Sequence, residues 1–336
     1  VNQTDIWVNE MKLCFDDILL VPAYSSLDSR TSPMLSTGFS SEFALSCPIV
    51  TAPMDSITGS KMAAAMDACG GMGIISRNIR HPHAIKVEIN EAFNMGVEYL
   101  GCAVGIKDID FIESLLDEGV SVLCVDVQHA DHDNVHECIQ SILELKKKRR
   151  FCLIVGNVCT YNAAETLAAL GVDAIKVGIG PGAACSTRNV TGFGIPQLSA
   201  ILDCSKIKHR YPNVGIIADG GLRTTGDMIK ALWAGADTCM VGWMVAASSA
   251  CPDIGHAQYR GMSSREVSGR EDIAPEGVVI EMKYKGDTEH LVEEYKKGLR
   301  AGLAMCGAAD IKELRQKAQA NIVSPLSMKE TGTKND

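Results

Sequence analysis

Eight short, unbroken apolar runs recur along this chain at a steady spacing, and they restrict its fold more than any other feature. They are Ile49–Ala52, Met72–Ser76, Tyr99–Val104, Val122–Val127, Cys152–Gly156, Ala174–Gly178, Gly215–Ala218 and Thr238–Gly242. Continuous apolarity, in place of alternation, marks strands covered on both faces, as in parallel sheets. Between them lie amphipathic segments of helical period: Ser60–Ala68, Pro82–Met95, Asp108–Glu118, Val135–Lys148, Tyr161–Ala169, Pro196–Lys208 and Thr225–Ala234. Asp108 and Thr160 stand where a side chain caps a helix start, and Gly119, Gly171 and Gly235 where a glycine ends one. Eight such units predict a single closed (β/α)8 TIM barrel, with a doubly wound open sheet as the alternative.

Composition narrows the class. The chain has 336 residues, of which 46% are hydrophobic and 5% aromatic, which suits one large domain built from aliphatic layers. A formal net charge of -9 argues against a nucleic-acid-binding surface. The one basic run, Lys146 to Arg150, closes a predicted helix, where cations complement the dipole. Cys102, Cys124, Cys152 and Cys239 fall inside apolar runs as small hydrophobes, and no His/Cys spacing resembles a zinc site. No apolar run reaches the ~18 residues of a membrane helix. The expectation is a soluble, cytoplasmic protein with no membrane or nucleic-acid partner. The barrel, an irregular lead-in and a mobile flap at about 243–287 would occupy 1–320, with no inserted regulatory domain, and 321–336 read as a flexible tail.

In such barrels the chemistry sits on loops that follow the strands. That rule selects Asp55, Arg77, Asp126, Asn157, Cys185, Asp219 and Gly242. The loop after the sixth run is the most informative, with Gly178, Gly180 and Gly182 around Pro181, then Cys185, Ser186, Thr187 and Arg188. Closely spaced glycines let the backbone turn sharply and approach a ligand, and a thiol on such a loop beside a cation is placed to act as a nucleophile. The plain alternative is a strand-end turn with a passive cysteine. Lys176, ahead of the glycines, is expected to point outward. Asp126 serves either a ligand or the cap of the next helix. Thr187 and Glu276 pair a hydroxyl with a carboxylate, a combination able to move a proton. Asp219-Gly220-Gly221 and Gly242 have the character of a phosphate cradle, and Asp219 is able to accept both hydroxyls of a ribose. A purine nucleoside monophosphate fits this set.

The chain resembles the IMP dehydrogenase/GMP reductase family in Phe15-Asp-Asp-Ile-Leu-Leu-Val-Pro22, Ala52-Pro-Met-Asp-Ser-Ile-Thr58, Lys176 through Arg188, Ala218-Asp-Gly-Gly221 and Tyr259-Arg-Gly-Met-Ser263. The resemblance implies a barrel enzyme, usually a homotetramer, in which Cys185 bonds to C2 of the purine while Thr187 and Glu276 move protons. It implies substrate contacts from Met54, Asp219, Gly220, Gly221, Gly242, Trp243, Tyr259, Gly261, Met262 and Ser263. Cofactor-side candidates are Arg77, Asp126, His129, Asn157 and Arg188, and the carbonyls of Gly180, Gly182 and Cys185 could gather a monovalent cation such as K+. Arg265 and Arg270 are not followed by Tyr, so the Arg-Tyr pair that dehydrogenases use against water is missing. That favours an NADPH-dependent GMP reductase forming IMP and ammonia, with IMP dehydrogenase and a nucleotide sensor without turnover as alternatives. Three positions depart from the family pattern: Ala183, Trp243 and Ile273.

Overall fold

The computed structural model describes residues 11–38, 40, 43–78, 82–107, 109–252, 257–264, 267, 272, 274–324, 326 and 327. Its strands in chain order are β1 (Ile18–Val21), β2 (Thr37–Gly38), β3 (Ala44–Leu45), β4 (Ile49–Thr51), β5 (Met72–Ile75), β6 (Gly101–Val104), β7 (Val122–Asp126), β8 (Cys152–Val158), β9 (Ala174–Val177), β10 (Gly215–Asp219), β11 (Thr238–Val241), β12 (Gln258–Arg260), β13 (Val279–Glu281) and β14 (Gln319–Ile322). The helices are α1 (Ser60–Ala68), α2 (Pro82–Asn94), α3 (Ile109–Asp117), α4 (Asp133–Lys146), α5 (Tyr161–Leu170), α6 (Thr187–Thr191), α7 (Gln197–Cys204), α8 (Thr225–Trp233), α9 (Thr288–Ala304) and α10 (Ile311–Lys317).

Strands β4 to β11 close into a parallel barrel, with β11 pairing β4 through Cys239–Ile49 and Val241–Thr51. All eight expected strands are present, and the open-sheet alternative is excluded by that closure. Their residues are almost wholly buried, because helices cover one side and the barrel interior the other. The helix signals work as read. Thr160 accepts from the Ala163 N–H at 3.3 Å, and Gly171 ends α5 in the left-handed region at φ 99°. Asp108 lies outside the described residues.

Residues 15–21 of the lead-in and 319–323 near the expected tail are tied together by backbone pairing. A single turn, Phe15–Asp17, precedes β1, and β1 pairs antiparallel with β14 from Ile18–Ile322 to Val21–Gln319. The Val323 N–H adds a bond to the Asp17 carbonyl at 2.9 Å. The expected tail, set to begin at 321, therefore starts inside a strand; residues 325 and 328–336 lie outside the described residues. Truncation after Ala318 should leave far-UV circular dichroism of the barrel unchanged. It should speed amide exchange at Ile18–Val21, whose partner strand it removes; unchanged protection there would show that the pairing contributes nothing.

Candidate active site

A cavity of 320 Å3 opens at the strand C-termini, a volume suited to a small ligand. Every expected substrate contact lines it, and so do Cys185, Thr187, Glu276, Arg77, Asp126 and Asn157. His129 and Arg188 do not. His129 is exposed beside Gln128, which does line the cavity. Arg188 turns under the glycine loop: its Nη2 donates to the Ile195 carbonyl at 2.6 Å, and its Cγ fills the space a Cβ on Gly180 would need. Arg188 braces the loop and does not face the cavity.

The glycines that shape this loop are required by contact as well as by φ. At Gly178, φ is 148° and an added Cβ would lie 2.0 Å from the Asp219 carbonyl oxygen. Gly220 and Gly221 both have positive φ, 90° and 76°, and so turn the β10 end back under Pro181. Gln197, buried at the start of α7, donates to the carbonyls of Val177 and Asp219 at 2.8 and 3.0 Å, tying the two loops together. Tyr259 is buried edge-on to Trp243, ring centroids 5.7 Å apart, and its hydroxyl lies 2.8 Å from where a Gly242 Cβ would be. Burial first, then the charge of Asp219, holds the Tyr259 phenol above its ordinary range, so it stays a neutral hydrogen-bond donor. Trp243 thus forms a wall behind the phenol.

Lys176 overturns the outward expectation. It is only 2% exposed, and its Nζ donates to Asp126 and, at 3.0 Å, to Asp219 Oδ2. Gly156, its register partner, makes room: an added Cβ would sit 2.4 Å from the Lys176 Cβ. Burial lowers the ammonium pKa, but the two carboxylates outweigh it and hold the group above its ordinary range. Asp126 is thereby committed to the mouth and not to capping; α4 is capped by His132, whose Nδ1 accepts from the Asn134 N–H. Asn157 Nδ2 donates to Asp219 Oδ2 at 2.8 Å and to the Gly178 carbonyl at 2.7 Å, while its buried Oδ1 has no partner. Arg77 Nη2 reaches the Asp126 carbonyl at 3.2 Å. The described residues hold no cluster of three metal-ligating side chains, and of the three carbonyls expected to gather a cation, that of Gly182 accepts the Cys185 N–H at 3.0 Å.

Backbone pairing brings the flap to the thiol. Strands β12 and β13 form a two-stranded ribbon. Cys185 bridges Gly277, the Ser186 N–H donates to the Glu276 carbonyl at 2.9 Å, and the Val278 N–H donates to the Ala184 carbonyl at 3.0 Å. Cys185 Sγ lies 3.1 Å from Thr187 Oγ1, and Gln128 Nε2 donates to both Thr187 Oγ1, at 3.2 Å, and Glu276 Oε2. Ala183 is exposed on the loop. Arg265, Arg270 and Ile273 lie outside the described residues.

Gln128 and Arg223 escaped the sequence reading, and Lys176 was given the wrong direction. Arg223 lines the cavity rim and is held by Asp16 of the lead-in at 2.9 Å and by Asp227 at 3.2 Å. A lysine inside an otherwise apolar strand was itself the available signal for Lys176. Replacing it by Met leaves two carboxylates facing each other without their cation, which should cost about 3 kcal/mol in a denaturant titration. Asp126→Asn in the same chain should restore part of that loss; strict additivity would mean that the pair is not coupled.

A family model for the IMP dehydrogenase / GMP reductase domain matches residues 12–334. The inosine-5'-monophosphate dehydrogenase of Cryptosporidium parvum is 32% identical over 380 aligned residues, covering 95% of this chain and 94% of that protein. The one from Nitrosopumilus maritimus is 30% identical, with 91% and 94% covered. The GMP reductase of Leishmania donovani is 33% identical over 256 residues, which cover 70% of this chain and 52% of that protein. No described helix is long and apolar enough to cross a membrane. With a closed (β/α)8 barrel, a glycine-supported cysteine loop and a match across nearly its whole length, the chain belongs to the IMP dehydrogenase / GMP reductase family, an oxidoreductase group of purine nucleotide metabolism.

Proposed function

We propose that this protein is a GMP reductase, converting GMP and NADPH to IMP, ammonia and NADP+ with net uptake of protons. The observation that carries the reading is the company of the thiol: a hydroxyl, a carboxamide and a carboxylate in one connected set. Such a set suits protonation of a departing amine. A second nucleophile needs a group that activates water. Neither Arg265 nor Arg270 is followed by the tyrosine of an Arg-Tyr pair, and only twelve positions separate Ser263 from Glu276.

In this reading Cys185 Sγ bonds to C2 of the guanine ring and the C2–amine bond breaks. The amine takes its proton from the Glu276 carboxyl while the Thr187 hydroxyl hydrogen-bonds to it, and it leaves as ammonia. The nicotinamide, when bound, supplies a hydride to C2. The C–S bond then breaks, returning the thiolate and releasing IMP. Asp219 Oδ1 faces the ribose while its Oδ2 is occupied by Asn157 and Lys176. Backbone N–H groups at Gly220, Gly221 and Gly242, with the neutral Tyr259 phenol, receive the phosphate. The unpartnered Asn157 Oδ1 is an acceptor suited to an amide N–H of a bound nucleotide or nicotinamide, and Arg77 with Asp126 forms the cofactor-side wall.

A second reading has support of its own, since the two relatives of greatest coverage named above are inosine-5'-monophosphate dehydrogenases. One experiment separates the two. The protein incubated with GMP and NADPH should consume NADPH and release ammonia, and Cys185→Ala should abolish this while GMP still binds. NADH production from IMP and NAD, with no NADPH consumption from GMP, would assign it as the dehydrogenase. Tyr259→Phe should raise the KM for GMP about ten- to a hundred-fold, as loss of a hydrogen bond to a charged group predicts, with kcat little changed.

A further inference from the structure

We infer that Gln128, on the loop after β7, is a positioning residue for the thiol site; the inference rests on the reading of Cys185 as nucleophile. Its carboxamide joins the β7 loop, the cysteine loop and the flap. Nε2 donates to Thr187 Oγ1 at 3.2 Å and to Glu276 Oε2. Among the described residues, Thr187 and Glu276 meet through this amide and not directly. The side chain is exposed to the cavity, so it is held by these bonds and not by packing.

The consequence follows from donor and acceptor counts. A threonine hydroxyl has one proton and two acceptor positions. Cys185 Sγ, 3.1 Å away, donates into one of them in the resting thiol, and the carboxamide donates into the other. The single hydroxyl proton is left for a third partner, which in the working site is the departing amine or, once the sulfur is ionised, the thiolate. The second bond occupies Oε2 of Glu276 and leaves its Oε1 as the atom able to carry or accept a proton. An amide N–H does not ionise in the working range, so Gln128 itself passes no proton. It sets which way the hydroxyl faces and where the carboxylate stands. The neighbouring His129, although the more obvious acid–base candidate, is exposed and outside the cavity lining.

The test uses Gln128→Met, which keeps length and loses the amide, and Gln128→Ala, each in the full chain. Alkylation of Cys185 by iodoacetamide at neutral pH, read on its own peptide by mass spectrometry, should slow about two- to ten-fold in both, the effect of one lost hydrogen bond. In GMP reduction, kcat should fall by about 10²-fold, as misplacement of a reacting group predicts, while KM for GMP stays near the wild-type value because the amide touches neither cradle nor ribose site. Wild-type alkylation rates in both variants would overturn the inference. A wild type that alkylates faster than both variants but does not reduce GMP would instead overturn the assigned reaction and leave the role of Gln128 standing.

Discussion

A single ammonium group, that of Lys176, holds the barrel mouth in one arrangement. It is almost fully out of water yet lies between two carboxylates from different strands, Asp126 of β7 and Asp219 of β10. Taking such charges from water is costly, and a buried ion pair adds little to stability over an apolar replacement of the same shape. What it provides is a fixed geometry. With one oxygen of Asp219 committed to Lys176 and Asn157, the carboxylate can present only its other edge to a ligand. With Asp126 committed likewise, its carbonyl becomes the anchor for Arg77. Four side chains from four strand ends are thus indexed to one nitrogen atom.

The thiol side of the mouth is organised by backbone in place of charge. Glu276 lies 91 positions after Cys185 in the chain, and no side-chain attraction would hold a flexible segment at a defined distance from a loop. Main-chain bonds do so: Ser186 to Glu276, Val278 to Ala184, and Glu276 to Ser263 at 3.1 Å. Gly261 and Gly277 make this approach close. A Cβ on Gly261 would lie 2.6 Å from the Ala184 carbonyl oxygen and 2.8 Å from the Gly277 Cα. The carboxylate therefore arrives with its backbone already registered, and only its last torsions remain for Gln128 to fix.

The barrel was legible because its eight strands are apolar on both faces and its helices on one, a contrast that periodicity reports directly. Cys185, Asp219 and the glycines were legible because their position at strand ends and their backbone demands narrow the alternatives. Lys176 was not, because a strand buried on both sides offers no polar face by which to judge direction. Gln128 and His129 are adjacent polar residues on one loop, and only coordinates show which of them turns inward. Arg188 misled for a related reason: a cation near a thiol in sequence lies beneath its loop in space. The β1–β14 pair joins residues as far as 304 positions apart, Ile18 with Ile322, through four-residue strands too short to carry a period of their own.

That distant pairing bears on the anion cradle. The Phe15–Asp17 turn runs directly into β1, and the same turn supplies the outer support of the Gly220–Gly221 loop. The Phe15 ring lies 3.6 Å from where a Gly221 Cβ would stand, and its carbonyl accepts from Lys230 at 2.8 Å. Asp16 holds the Arg223 guanidinium at the cavity rim. The hydrogen bond from Arg223, opposed by slight burial, keeps the Asp16 carboxyl below its ordinary range. This clamp is complete above the usual aspartate value near pH 4 and is lost as pH falls through the depressed one. Glycines with positive φ have no side chains with which to fix themselves, so a cradle built of them needs an external brace. Here the brace is the Phe15–Asp17 turn, itself anchored through β1 by β14, and the loop order at the mouth depends on that distant pairing.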